Sequence, residues 1–213
     1  TFATDRSHVW GYFWNGGGPN VGSGVRLNGT EFYDATTEAT LVGNSGYVDG
    51  LWTIGAYDGV ETWNGLIGEI VLYDRNLATW EKDKVESYMA IKYGNTLTHN
   101  YYAGNWNGTT GTTIWTVGGG YDNGVAGIGR DDCQALNQKQ SKSVNPGFQP
   151  VIGNASQLAA TNALHSGNFG ANQSFLLWGG NSGAATLGAP YAFGGMSHRI
   201  TRIWKVQENG TVG

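Results

Sequence analysis

The sequence predicts an all-β protein built as jelly rolls or β-sandwiches, and three observations support this. Only 13% of the 213 residues are charged, whereas glycine occurs 36 times. That charged share is about half the usual value for a soluble domain. Short β-patterned runs recur along the chain, and Asn-Gly, the dipeptide typical of tight hairpins, punctuates them. Strands at this spacing, joined by Gly-rich turns, are typical of sandwiches and jelly rolls.

The candidate strands alternate apolar and polar residues or form short apolar runs between turn signals. They are residues 8–14, 24–34, 51–57, 66–74, 112–117, 124–130, 135–144, 149–154, 174–180 and 198–207.

One segment departs from this pattern and predicts a helix over residues 79–93. Thr79 can cap its start, Lys92 suits the last turn, and Gly94 suits the position just past the end. Apolar residues recur at nearly helical spacing: Trp80, Val85, Tyr88, Met89 and Ile91. The stretch that follows is polar and Gly-rich, so a domain boundary is expected near residue 95.

The junction "GLIGEIVLYDRNLATWEKDKVESYMAIKYG" (65–94) carries a family resemblance. It resembles the closing strand and helix of concanavalin A-like (laminin G-like) jelly rolls in large bacterial surface proteins. The matching elements are Gly68 to Ile70, Tyr73-Asp74-Arg75 and Ile91-Lys92-Tyr93-Gly94. The resemblance implies that residues 1–95 are the C-terminal part of such a jelly roll, whose first part we expect outside this chain.

Two downstream stretches carry a second resemblance, namely "NGVAGIGRDDCQALNQKQSKSVN" (123–145) and "RITRIWKVQENGTVG" (199–213). They are similar to a poorly characterised all-β domain that follows the jelly roll in Bacteroidota-type cell-surface adhesins. Residues 96–213 are therefore expected to form a second β-sandwich-like domain that continues beyond the end of this chain. The resemblance implies an extracellular, cell-surface location.

Charge and apolar patterning exclude several classes of partner. The net charge is −4 and no basic cluster exists, so a nucleic acid is not expected. No apolar run reaches the roughly 18 residues of a membrane span. Cys133 is the single cysteine, so no internal disulfide and no Cys-based metal site can form.

Two carboxylates on the 66–74 run raise the question of glycoside hydrolysis. Glu69 and Asp74 are five residues apart, so they would point to opposite faces of a strand. A glycosidase needs both carboxyl groups at one sugar. The spacing therefore predicts that this chain is not an enzyme.

Calcium is the cofactor that the loops permit, because Ca²⁺ prefers several oxygen ligands from carboxylates and loop carbonyls. The alternative for each aspartate is a turn residue that bonds its own backbone. The candidate ligands are Asp49, Asp58, Asp122, Asp131 and Asp132.

Glycan binding is the second candidate activity, since sugars stack on exposed aromatic rings and are oriented by amide side chains. The alternative for each aromatic residue is ordinary packing. The candidates are Trp63, Asn64, Tyr102, Trp106 and Asn107.

The sequence thus predicts a non-enzymatic fragment of a large bacterial surface protein that acts in adhesion or glycan recognition. One alternative is a structural building block of a surface fibre, whose partners are self-assembled copies and neighbouring domains of the same polypeptide. A third is part of a polysaccharide-degrading enzyme. Fold alone does not decide among them.

Overall fold

The structure, a computed structural model, describes residues 6–13, 24–32, 54–57, 61–104, 111–193 and 196–212. The contacts divide the chain into two compact units. Of the described residues, the larger unit contains 6–12, 25–32 and those from 78 onward, and the smaller unit contains the others.

The described elements are mostly short antiparallel strands with a single α-helix among them. In chain order they are β1 Trp10–Phe13, β2 Gly24–Leu27, β3 Thr30–Phe32, β4 Ala56–Tyr57, β5 Glu61–Thr62, α1 Thr79–Tyr93, β6 Tyr101–Ala103, β7 Thr112–Trp115, β8 Asn123–Asp131, a 3₁₀ turn Asp132–Gln134, β9 Leu136–Gln138, β10 Gln140–Lys142, β11 Val151–Gly153, β12 Ser174–Gly180, β13 Leu187–Phe193, β14 Met196–Ile200 and β15 Trp204–Asn209. The all-β prediction with one helix is confirmed at this level.

Helix α1 has the predicted bounds, but its start is capped differently. Ala78 is the N-cap, and its backbone N–H donates to the Glu81 carboxylate at 2.8 Å. At the other end Gly94 adopts the left-handed conformation, with φ +70°, as the sequence predicts. The expected capping by Thr79 is wrong, because Thr79 is already the first helical residue and Ala78, the N-cap, has no side-chain acceptor.

The buried face of α1 is more polar than the apolar spacing predicts. Glu81, Lys84, Glu86 and Ser87 are buried beside Ala90 and Ile91. The Lys84 ammonium lies 5.2 Å from the centre of the Trp80 ring and donates to the Gly104 carbonyl at 3.4 Å. Burial lowers the pKa of Lys84. The helix is therefore held by polar contacts as well as by apolar packing.

A four-stranded antiparallel sheet forms the centre of the larger unit, in the order β15-β12-β8-β9. Phe175 pairs with Gly129 and Leu177 with Gly127. A side chain at Gly127 would press on Leu177 and one at Gly129 would collide with the Phe175 ring, so these two glycines of "GVAGIG" (124–129) make room for β12 side chains. Gly124 instead lies against the Gln149 side chain.

Both faces of this sheet are covered by buried side chains, as the two-residue period of a strand requires. One cluster, under α1, contains Ala90, Ile91, Leu97, Tyr101, Ala103, Ile114, Trp115, Val125, Leu136, Phe175 and Leu177. The other, on the opposite face, contains Ala126, Ile128, Phe169 and Trp178.

A second sheet, β1-β2-β3, has β2 at its centre. Strands β2 and β3 form a hairpin whose turn is Asn28-Gly29, with Arg26 paired to Glu31 and Val25 paired to Phe32. The Asn28 side chain accepts a hydrogen bond from the Val9 N–H at 2.9 Å, which ties the turn to the chain before β1.

The predicted strand over residues 66–74 is wrong, since these residues form no strand in the described structure. The predicted boundary near residue 95 stays a prediction. Within the larger unit, however, Ala90 and Ile91 of α1 share one core cluster with Phe175 and Leu177 of β12. Among the described residues, no helix is long and apolar enough to cross a bilayer.

Candidate recognition surface and ion cluster

An aromatic surface covers the outer face of the β1-β2-β3 sheet. Trp10, Tyr12 and Phe32 are 48%, 72% and 53% exposed. Trp10 and Tyr12 are two residues apart on β1, so they share a face and lie about 6.6 Å apart along the strand. We call the surface formed by these three rings the aromatic face.

Half-buried apolar residues of β2 complete the aromatic face. Val25 pairs directly with Phe32, so both side chains project from the same side of the sheet. Leu27 follows Val25 by two residues and is likewise half-buried. The three rings therefore lie beside half-buried apolar side chains of β2 and are themselves exposed to solvent.

The inner face of the same sheet rests on charged groups of α1. Arg26 is buried, and its Nη2 lies 2.7 Å from Asp83 Oδ1 and 3.3 Å from Glu86 Oε2. Gly11 faces the same side, because a side chain there would meet the Arg26 Cβ at 3.6 Å and Glu86 Oε1 at 3.7 Å. A glycine at this point lets β1 approach the charged layer closely.

His99 joins these residues to form an ion cluster. Its Nε2 lies 2.7 Å from Glu86 Oε2 and 3.7 Å from Asp83 Oδ1, and its Nδ1 lies 2.7 Å from the Asn100 carbonyl oxygen. Both ring nitrogens face acceptors, and only the imidazolium form donates from both. We therefore assign His99 as protonated in the ion cluster of Arg26, Asp83, Glu86 and His99.

The pKa of His99 is raised by its surroundings. Burial is the largest single effect and lowers the pKa, but the other effects together outweigh it. These are the hydrogen bonds to the Glu86 carboxylate and the Asn100 carbonyl and the charges of Asp83 and Glu86. The cluster then holds two positive and two negative charges.

Asp83, Glu86 and His99 place ligand atoms within 4.8 Å of one another, which a metal ion could use. A divalent cation would have to remove the Nε2 proton and displace the Arg26 guanidinium, which already neutralises the carboxylates. The geometry therefore favours an internally balanced ion cluster that fixes the sheet to α1.

The predicted glycan residues that the structure describes belong to different units of the chain. Trp63 is 58% exposed and Asn64 is exposed, both in the smaller unit. Tyr102 is half-buried in the larger unit and stacks on His99, with ring centres 6.5 Å apart. Trp106 and Asn107 lie outside the described residues.

The predicted calcium ligands do not converge where they are described. Asp122 precedes β8 and Asp131 ends it, so the nine-residue strand holds them roughly 25–30 Å apart. Asp131 accepts from the Gly104 and Cys133 N–H groups, and Asp132 pairs with Arg130. Asp49 and Asp58 lie outside the described residues.

The sequence reasoning missed the aromatic face although the signal was present. In "HVWGYFW" (8–14), aromatic residues stand at positions 10 and 12 with glycine between them. An apolar strand whose alternate position is glycine indicates one face in close contact and one face carrying the rings. Phe32 could be added only after the hairpin register was known.

Comparisons with known proteins identify one family and give no functional relative. Searches of curated proteins and of solved structures find no match. A family model described as a domain of unknown function (DUF8202) matches residues 81–213, which include most of α1 and all the strands of the four-stranded sheet. Because that match covers more than half of the chain, the protein belongs to the DUF8202 family.

Proposed function

We propose that this chain is a non-enzymatic part of an extracellular bacterial surface protein and that it recognises a glycan through the aromatic face. In this proposal residues 1–95 are the end of a laminin G-like jelly roll and residues 96–213 a second β-sandwich-like domain.

The observation that carries the proposal is the exposure of Trp10, Tyr12 and Phe32 on one sheet face. Apolar patches of this kind on soluble proteins often mark binding sites. Aromatic rings suit sugars because the C–H bonds on one side of a pyranose pack flat on a ring face and release water from both surfaces.

The rigidity of the sheet supports recognition at this surface. Beneath the rings, Arg26 is fixed by Asp83 and Glu86, and the Thr98 N–H donates to the Asn28 carbonyl of the hairpin turn at 3.0 Å. A ligand that stacks on a pre-ordered surface loses less binding free energy to side-chain and backbone ordering.

The contacts of the two carboxylates in the ion cluster also favour binding over hydrolysis. Asp83 and Glu86 contact Arg26 and His99 and lie under the inner face of the sheet. A hydrolytic pair must reach both sides of one glycosidic bond. These two carboxylates are engaged on the side of the sheet opposite to the aromatic face.

The test is a depletion assay with insoluble cellulose, chitin and starch, with Ca²⁺ and again with EDTA. We expect the full chain to bind at least one polymer and Trp10→Ala and Tyr12→Ala to reduce binding at least tenfold. Phe148→Ala is the matched control, because Phe148 is a 63% exposed aromatic residue away from this sheet.

Several outcomes would decide against parts of the proposal. Equal binding by wild type, Trp10→Ala and Tyr12→Ala would show that the aromatic face is not the binding site. A loss of binding only in Trp63→Ala would place the binding site at Trp63, as the sequence predicts. Loss of binding in EDTA would support the predicted calcium dependence. Release of soluble sugars during the assay would contradict the non-enzymatic role.

A structural role is the second candidate function, favoured by a run of exposed apolar side chains in the smaller unit. These residues are Leu66, Ile67, Ile70, Val71, Leu72 and Tyr73, which are 40–98% exposed. The run has the composition of a strand but forms none in the described structure. Such a segment is suited to pairing with a strand of a neighbouring domain or another copy.

Analytical ultracentrifugation tests the structural role. A building block should self-associate as concentration rises, and Leu66→Ser combined with Leu72→Ser should abolish that association. A wild-type chain that stays monomeric at high concentration and binds a polysaccharide would contradict assembly through this run.

A further inference from the structure

A polar cleft lies at the end of the four-stranded sheet where β8 begins. It has a volume of about 440 Å³ and is lined by Gly120, Asp122, Asn123, Asn145 and Ser182. The cleft is shallow and largely open to solvent, so a ligand would lie against its lining and not be enclosed. The lining belongs entirely to the larger unit and contains none of the residues of the aromatic face or the ion cluster.

The carboxylate of Asp122 is held in place by the turn before β8. Its Oδ2 accepts from the Gly118 N–H at 2.8 Å, and its Oδ1 accepts from the Trp115 indole N–H at 3.4 Å. Each carboxylate oxygen has a second lone pair. Asp122 is therefore oriented by the protein and retains capacity to accept from a ligand.

Ser182 also lines the cleft, and it has an unusual backbone conformation. Its φ is +62°, a region that costs a residue with a side chain about 1–2 kcal/mol. Asn181 maintains the loop, since its Oδ1 accepts from the Gly183 N–H at 3.0 Å and the Ile203 N–H at 2.9 Å. Backbone conformations of this cost cluster at binding and active sites.

The Ser182 hydroxyl can donate a hydrogen bond to a ligand. Asn123 Nδ2 lies 3.0 Å from Ser182 Oγ and donates to it, because an amide nitrogen has no acceptor lone pair. The hydroxyl proton is therefore free to point away from Asn123. Ser182 thus offers a donor and Asp122 an acceptor to a ligand in the cleft.

The glycine turn leaves the cleft open to close approach. A Cβ built at Gly118, Gly119 or Gly120 would meet no atom within 4 Å, and Gly118 and Gly120 have φ of +100° and +79°. These positive φ values favour glycine, and at Gly120, which lines the cleft, the missing side chain leaves the backbone open to a ligand.

We infer that this cleft is a second binding site, which takes a single neutral sugar residue or a similar polyol. The lining combines a carboxylate, two carboxamides, a hydroxyl and glycine backbone, so it offers donors and acceptors in mixed order. A sugar hydroxyl donates and accepts at once, which matches such a lining. The lining includes a carboxylate and no cationic side chain, so an anionic ligand would be repelled.

The inference rests on the proposed function only in taking sugars as the first ligands to test. We would record saturation-transfer difference spectra of the full chain with glucose, galactose, mannose, N-acetylglucosamine and glucuronate. We expect saturation transfer to at least one neutral sugar and weaker binding of glucuronate than of glucose. Ser182→Gly should weaken neutral-sugar binding about tenfold, as expected for one lost hydrogen bond.

Ser182→Gly is chosen because glycine tolerates the positive φ, so the variant keeps the fold. Asn123→Ala should weaken binding as well. Asn137→Ala, an exposed asparagine on β9, is the matched control and should bind as wild type does. A melting temperature at or above that of wild type checks that Ser182→Gly is folded.

No saturation transfer from any neutral sugar, undiminished binding by both cleft variants, or tighter binding of glucuronate than of glucose would each overturn the inference. Trp10→Ala separates it from the proposed function, because that variant should lose polymer binding and keep free-sugar binding. If the chain binds free sugars but no polymer, the aromatic face is not a glycan site and the inference about the cleft still holds.

Discussion

The four-stranded sheet and the three-stranded sheet of the larger unit are stabilised in different ways. The four-stranded sheet has apolar side chains on both faces, with Phe175, Leu177 and Trp178 completely buried. The three-stranded sheet is held by ion pairs, because Arg26 projects from its inner face and contacts the carboxylates of Asp83 and Glu86. Apolar packing stabilises the first sheet, and a charge network fixes the position of the second.

This difference explains why the aromatic rings lie where they do. A sheet whose inner face is anchored by ion pairs does not need apolar side chains there, and its outer face is then available for Trp10, Tyr12 and Phe32. In the four-stranded sheet the large apolar side chains of β12 are completely buried. The comparison shows a fully buried apolar sheet beside a sheet with exposed rings, and our proposal places recognition on the second.

The largest effect is expected from truncation in the four-stranded sheet. Phe175→Ala should lower the free energy of unfolding by about 3–5 kcal/mol, because it removes a fully buried ring and leaves a cavity. Urea denaturation measures the change. Phe148→Ala, at an exposed ring, should change stability far less, and equal losses in both variants would contradict the assignment of the core.

Removing Arg26 should be the next most damaging change. Arg26→Met keeps an unbranched apolar stem but leaves the buried Glu86 and the half-buried Asp83 with His99 as the one cation of the ion cluster. We expect a loss of about 3 kcal/mol in urea denaturation. Arg130→Met, which breaks the exposed pair with Asp132, is the control and should have little effect.

A double variant separates charge balance from packing at this site. In Arg26→Met combined with Glu86→Gln, one carboxylate charge is removed with the guanidinium, so part of the lost stability should return. If the double variant is as unstable as the sum of the two single variants, Arg26 contributes through packing and not through its charge.

A smaller effect is expected where α1 ends against β10. Gly94 has φ +70°, a side chain there would run into the Lys142 carbonyl, and the Gly94 carbonyl accepts from the Val144 N–H at 2.9 Å. Gly94→Ala should cost about 2 kcal/mol in the same assay, from the backbone conformation and the collision. Gly170→Ala, where a methyl group meets open space, should be nearly neutral.

Local signals predicted local structure well. The helix bounds and Gly94 at its end follow from short-range chemistry, and the structure has both. The single strand predicted over 24–34 is wrong, because Asn28-Gly29 turns the chain into a hairpin. The predicted strand over 66–74 failed because a strand also needs a partner for its backbone hydrogen bonds, which no local pattern supplies.

The candidate sites depended on contacts between residues far apart in sequence. Arg26 and Asp83 are 57 residues apart, and Asn123 and Ser182 are 59 apart. Residue types alone gave no reason to pair them. Of the predicted site residues, Asp122 is the one that lines the cleft, where it contributes an acceptor for a ligand and not a calcium ligand in our proposal.

The smallest effect is expected from titration of His99, and it tests whether charge fixes the three-stranded sheet. The pKa of His99 is raised in the folded protein above the roughly 6.5 of an unfolded chain. The native state therefore holds this proton more tightly, and its contribution to stability is complete below that value. It is lost as the pH rises through the folded-state pKa.

Urea denaturation across pH 5 to 9 should therefore show wild type losing stability on the alkaline side relative to His99→Gln, which has no titrating group at this position. His198→Gln, at an exposed position, should follow the wild-type profile. If wild type and His99→Gln have parallel profiles, His99 is not protonated in the ion cluster. Within the ion cluster, Arg26 would then be the one cation opposite Asp83 and Glu86, and the sheet would be fixed by its guanidinium and not by two cations.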